Sequence, residues 1–379
     1  MSEHPEFDAI RPFNDSEVPF AIEKLISNEN FEKISHFFQP DKDTETVKNS
    51  IKQIKTIKEF QHIFSHPFLN YILDTTSDGL SSSGIEDIKL KGHLYIVNHR
   101  DIILDTAFLQ LLLQINKIDT TEIAVGDNLM KNSLFNVLGK LNKVFTLTRG
   151  GGRIEMYKNA VLHSQYINHV IKERNESLWI AQRDGRTKDG NDKTQQGLLK
   201  MLLGNRRDVA KALQELAIVP VSTSYELEPC LKGKVREIYL TEKNGEYTKE
   251  EGEDMHSVAT SVLAKKGRIH IGFGKRLNII FENIENKDLS NNEIIDQFVQ
   301  EIDKQIYENY KLWPYNYLAW DIINNKQDFL NEYTDKDKIS FEKYIIENIQ
   351  EIDGEQEELK KIALEIYANP VINKLNIQN

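Results

Sequence analysis

Between about residues 89 and 282, short apolar runs alternate with stretches of helical spacing, and no other feature restricts the architecture as much. "HLYIVNH", "TEIAVGD", "KVFTLTR", "SLWIAQR", "AIVPVSTSY", "REIYLTE" and "GRIHIGFG" each read as a strand. Helical patterns lie between several of them: Ile103 to Ile115, Asn132 to Leu141, Glu155 to Arg174 and Arg207 to Leu216. Strands alternating with helices imply an α/β fold, a central sheet with helices on its faces. In such sheets ligands collect beyond the carboxyl ends of the strands. His99, Arg149 and Arg183 each stand where a predicted strand ends.

The flanks have a different texture. Residues 1–88 follow helical spacing up to "SDGLSSSG" at Ser77 to Gly84, a turn-rich loop by its glycines and serines. Residues 283–379 are helical again, with breaks expected at Pro314 and Pro370. Three units are therefore expected: a helical segment over 1–88, an α/β domain over 89–282 and a helical segment over 283–379. The aromatic stretch "NYKLWPYNYLAW" fits either core packing or an interfacial belt.

Charge and cysteine content exclude several classes of function. The formal net charge of -11 repels a phosphate backbone, so nucleic acid is not an expected partner. An anionic substrate must then be held by a local basic cluster. A single cysteine, Cys230, allows no internal disulfide and no cysteine-rich metal site, and fits a reducing cytoplasm. The N-terminus has no apolar signal region, and no stretch reaches the roughly 20 apolar residues a membrane helix needs. Work on lipids would proceed from the membrane surface, at its inner face.

Four polar blocks follow predicted strands. In "NHRDIILD", His99 is a candidate general base, because imidazole titrates near neutrality. Asp105 or Asp101 would orient it through the other ring nitrogen. Asn98 or Asp101 also suits a helix cap. In "TRGGGR", three glycines allow close approach to an anion that Arg149 and Arg153 can grip. In "QRDGRTKDG", Arg183, Asp184, Gly185, Arg186 and Lys188 crowd one loop. In "IVPVSTSY", Pro220 is placed to shape a pocket wall.

Taken in this order, the blocks resemble the glycerolipid acyltransferase family, which includes glycerol-3-phosphate and lysophosphatidic acid acyltransferases. "NHRDIILD" is similar to its histidine-aspartate box, "LNKVFTLTRGG" to the box ending in arginine, "IAQRDGRTKDG" to the "EGTRSRxG" box and "IVPVSTSYE" to the proline box. The resemblance covers about residues 89 to 275. It implies a mixed sheet flanked by helices, with no metal and no cofactor beyond an acyl thioester, on coenzyme A or acyl carrier protein, as donor. It implies His99 as base, Asp105 orienting it, and Arg149, Arg183 and Arg186 on the acceptor phosphate of a glycerophosphate or lysolipid. Arg100, Arg153 and Lys188 complete the expected basic set. Two departures stand out. The His99–Asp105 spacing is one residue longer than the family's, and Arg183 or Asp184 occupies the place of the family's glutamate. Alternatives are a different lipid acceptor, such as an aminoacyl lipid, and a catalytically silent phosphate- or lipid-binding module.

Overall fold

Among the described residues, seven strands form one sheet: β1 (Ser77–Ser83), β2 (Leu94–Val97), β3 (Glu122–Gly126), β4 (Val144–Leu147), β5 (Leu178–Ala181), β6 (Ile218–Tyr225) and β7 (Gly267–Phe273). The computed structural model describes residues 4–88, 92–250, 252–277 and 289–377, so the boundary expected at 282 lies outside the described residues. The strand order is β1-β7-β6-β2-β5-β3-β4. β6, β2, β5, β3 and β4 run parallel. β7 is antiparallel to β6, and β1 lies parallel to β7 at the edge.

Helices surround this sheet. Before it come α1 (Val18–Ile26), α2 (Phe31–Phe38), α3 (Thr44–Lys52), α4 (Ile57–Phe60) and α5 (His66–Thr76). Among the strands lie α6 (Leu104–Ile115), α7 (Asp127–Met130), α8 (Ser133–Leu141), α9 (Arg153–Asn168), α10 (Gln196–Leu203), α11 (Val209–Gln214), α12 (Leu231–Asn244) and α13 (Glu253–Leu263). After it come α14 (Asn291–Asn309), α15 (Pro314–Asn324), α16 (Asp335–Ile349) and α17 (Gln356–Asn376).

β2 and β5, at the centre of the sheet, are apolar throughout because both faces are covered. Leu94, Ile96, Leu178 and Ile180 pack with α9, α10, α11 and α14 on one face. Tyr95, Val97, Trp179 and Val219 pack with α5, α6 and α13 on the other. The chain leaves β2 through α6 on the second face, but leaves β5 through α10 and α11 on the first. The connections from these neighbouring strands thus go to opposite faces, and in α/β sheets the crevice that takes a ligand lies beyond the carboxyl ends of such a pair.

Four local expectations are corrected. "SDGLSSSG" is not a loop: Ser77–Ser83 is edge strand β1, held by its ladder to β7 and by Ser81 and Ser83, whose Oγ atoms lie 2.9 and 3.1 Å from the ring nitrogens of His270. "REIYLTE" lies within α12, where Leu231, Val235 and Tyr239 recur every four residues and bury against the C-terminal helices. α14 ends at Asn309, and Pro314 instead opens α15 in the first turn, where its missing N–H costs no bond. α17 runs through Pro370. The Ile366 carbonyl that Pro370 leaves without its helical donor is approached closely by Gly190. Tyr310, Trp313 and Trp320 are buried, so the aromatic stretch is core.

Candidate active site

His99 follows β2 at the crevice and keeps 14% of its side chain exposed. Its Nδ1 lies 3.0 Å from Asp105 Oδ2. Against a carboxylate that nitrogen donates, which leaves Nε2 as the lone-pair position. Asp105 sits fully buried in the first turn of α6. The same Oδ2 accepts the backbone N–H groups of Arg100 at 2.7 Å and Asp101 at 2.9 Å. Oδ1 accepts the Tyr225 hydroxyl at 2.8 Å. Burial first, then the Asp105 charge, pushes the Tyr225 phenol well above its ordinary range, so it remains a donor. Trp179 stands nearly perpendicular to the imidazole and closes one side of it, with centroids 5.8 Å apart and planes at 77°.

Asp101 has a different task. Its Oδ1 accepts the N–H groups of Ile103 and Leu104 at 2.9 and 2.8 Å and so caps α6. Residues 98–103 are non-helical and α6 begins at Leu104, which brings Asp105 in its first turn to the imidazole across the six-residue interval. Asn98 is not a cap: it bridges β2 to β6 through Thr223 N and O, at 2.7 and 3.1 Å, and donates to Asp192 at 3.0 Å.

Arg100 corrects an expectation. It was expected on the substrate, but it is fully buried. Its guanidinium donates to Asp192 at 2.7 Å, Glu228 at 3.2 Å and the Gly190 carbonyl at 3.2 Å, and lies over the Tyr310 ring. Burial opposes its charge; Asp192, then Tyr310 and Glu228, more than offset this and hold it protonated. Buried Lys234 bonds the Arg100 carbonyl at 2.8 Å and pairs with Glu228. In this charge-balanced quartet Lys234 holds the backbone next to His99 directly, and the Arg100 side chain anchors it to Asp192 and Glu228. Tyr225, Asp192, Glu228 and Lys234 carry no local signal in the sequence; only Asp192 lies close to a charged loop, two residues beyond "QRDGRTKDG".

The remaining basic residues line the same strand edge in different states. Arg149 follows β4 and pairs with Asp184, which follows β5. Gly126 admits the Arg149 side chain, since a Cβ there would lie 3.0 Å from its Cζ. Gly150 and Gly151 adopt φ of +87° and +88°, and Gly185 adopts +69°. Arg153 opens α9 and is exposed. Arg183 and Arg186 are half-buried, and Arg183 Nε and Arg186 Nη1 are buried donors with no hydrogen-bond partner among the described residues. Lys188 pairs with Glu237 of α12 instead of facing the crevice unpaired. Pro220 is a second correction: it lies inside β6, level with Ile96, where its carbonyl accepts Gly274 N–H at 2.8 Å. It is a sheet residue, not a wall of the mouth.

Cys230 lies behind the site, near enough to Asp101, Arg186 and Lys234 to feel their charges. Burial pushes the Cys230 thiol up, and its Sγ contacts the Ser257 carbonyl at 3.4 Å. His4, His169 and Glu173 bring potential metal-ligand atoms within 4.8 Å of one another at the far end of α9, where Glu6 and Glu173 already engage the two imidazoles. No described helix is long and apolar enough to cross a membrane.

Fold and site define an α/β protein with a histidine–aspartate pair at the carboxyl edge of a mixed sheet. No family model and no curated protein matches the chain. Among solved structures it is similar to the 1-acyl-sn-glycerophosphate (LPA) acyltransferase PlsC from Thermotoga maritima. That likeness spans 75% of this chain and 94% of the other, at 12% identity and a TM-score of 0.34.

Proposed function

We propose that this chain is an acyltransferase that moves a fatty acyl group from a thioester to the hydroxyl of glycerol-3-phosphate or lysophosphatidic acid. The observation that carries this reading is the His99–Asp105 pair: a buried, four-donor carboxylate holding an imidazole at a crevice. Nε2 takes the proton of the acceptor hydroxyl as its oxygen attacks the thioester carbonyl. The tetrahedral intermediate collapses, the carbon–sulfur bond breaks, and the imidazolium returns the proton to the leaving thiolate. Asp105 stabilises the imidazolium between these steps. The unpartnered donors on Arg183 and Arg186 support an anionic acceptor, with Arg149 and Arg153 on the same edge.

The test is thiol release from palmitoyl-CoA, or from acyl carrier protein, with glycerol-3-phosphate and with lysophosphatidic acid. Acceptor-dependent release should fall about 10²–10⁴-fold in His99→Ala. Release that ignores the acceptor, or survives His99→Ala, overturns the reading.

A further inference from the structure

Ten consecutive residues, Arg149 to Lys158, are exposed. They form the glycine turn after β4 and the start of α9. A surface helix ordinarily buries an apolar stripe. Here Ile154, Met156 and Tyr157 are 75%, 57% and 59% exposed. At roughly 100° per residue they point around most of the helix circumference, so the helix end projects from the body. Single exposed apolar residues are ordinary, but three within four positions at a projecting tip call for a partner.

The charges around the tip identify that partner's chemistry. Arg149, Arg153 and Lys158 surround the three apolar residues with one carboxylate, Glu155, on a chain of net charge -11. The tip therefore suits an anionic, apolar-centred surface, while the rest of the molecule is repelled by one. Tyrosine favours headgroup depth, and arginine and lysine extend toward headgroups from apolar stems. The tip follows β4 at the sheet edge where His99 follows β2, and Arg149 ties it to Asp184 after β5.

We propose that the β4–α9 tip docks on an anionic lipid bilayer. Ile154, Met156 and Tyr157 enter the boundary between headgroups and acyl chains, Arg153 and Lys158 meet the headgroups, and the His99 edge faces the membrane. The choice of a bilayer as occupant rests on the lipid-acceptor reading above; the docking itself is measured without turnover.

The full chain is floated with vesicles of phosphatidylcholine and phosphatidylglycerol in equal parts, and with phosphatidylcholine alone. The parent should bind the anionic vesicles, more weakly as salt rises. The triple variant Ile154→Ser, Met156→Ser, Tyr157→Ser should lose about tenfold or more in affinity. Its thiol release with water-soluble glycerol-3-phosphate should match the parent's. Trp179, Trp313 and Trp320 are buried, so Tyr157→Trp adds an exposed reporter whose emission should shift to the blue on vesicles. Equal flotation of parent and triple variant, or an unshifted Tyr157→Trp emission, overturns the proposal. So does a dimer that the triple variant dissociates while vesicle binding persists, since the tip's partner would then be a second copy. Vesicle binding through the tip without any turnover would instead remove the acyltransferase reading and leave the docking intact.

Discussion

Two aspartates four residues apart do unlike work because their donors differ. Asp105 accepts from His99, Arg100 N, Asp101 N and Tyr225, so only a carboxylate meets all four. An amide presents hydrogens to some of those donors. Asp105→Asn should therefore disturb the imidazole and cut thiol release about 10²–10⁴-fold. Asp101→Asn keeps the capping acceptor for Ile103 and Leu104 and should cost under about 1 kcal/mol of stability. Steady-state rates beside urea denaturation of both variants separate the two roles; equal rate losses would refute them. The arginines divide in the same way. Arg100→Met leaves Asp192 buried without its cation and Glu228 with Lys234 alone, and should cost about 3–5 kcal/mol. Arg149→Gln breaks an exposed pair and should cost under about 1 kcal/mol. Urea midpoints that fall alike for both would show that the buried quartet does not hold the loop.

At the scale of elements, the loop after β5 is held in place by the last helix. Gly190 has φ of +79°, and a Cβ there would lie 2.2 Å from the Ile366 carbonyl. Asn369 Nδ2 donates to Asp189 O at 2.6 Å beside it. Gly190→Ala should thus cost about 2–4 kcal/mol through backbone strain and displacement from α17. It should also slow turnover, because the loop carries Asp192 to Arg100. Gly197→Ala is the control: its Cβ meets nothing within 4 Å in α10, and it should hold or raise the melting temperature. A Gly190→Ala melt equal to that of Gly197→Ala would refute the docking of loop on helix. These elements also show what the sequence made legible. His99 and Asp105 share one short block at a strand end, so local spacing brought them together on paper as in the fold. The partners of Arg100 lie 92, 128 and 134 residues away, and no local pattern encodes such pairings. β1 has no local strand signature because an edge strand needs a ladder more than apolar side chains, and Ser77–Ser83 offers mainly serines. "REIYLTE" misled because its alternation spans too few residues to reveal the four-residue period of α12.

At the scale of the whole molecule, the separate cores respond together to acid. His66 opens α5, His163 lies in α9 and His270 lies in β7. Burial pushes each down to about 4. His163 is held neutral in a defined role, its Nε2 accepting Thr148 N–H at 3.1 Å just before the glycine turn. Between the ordinary histidine value of about 6.5 and that lowered value, the unfolded chain binds protons the native chain refuses. Stability must then fall as pH falls through this window. Asp303 acts in the opposite sense. Burial pushes it up to about 6 although Thr194 N donates to it, so the native chain gains a proton first and is stabilised as pH falls. Three groups oppose one, in a range above that of ordinary carboxylates. The expected net loss between about pH 7 and about pH 5 is on the order of 4 kcal/mol, read from urea midpoints at the two values. His163→Gln keeps an acceptor for Thr148 N–H but removes one titrating group, so its two midpoints should lie closer together by about 1–2 kcal/mol. A parent protein equally stable at both values would mean that these imidazoles accept protons without unfolding. In that case burial would not be what holds them neutral.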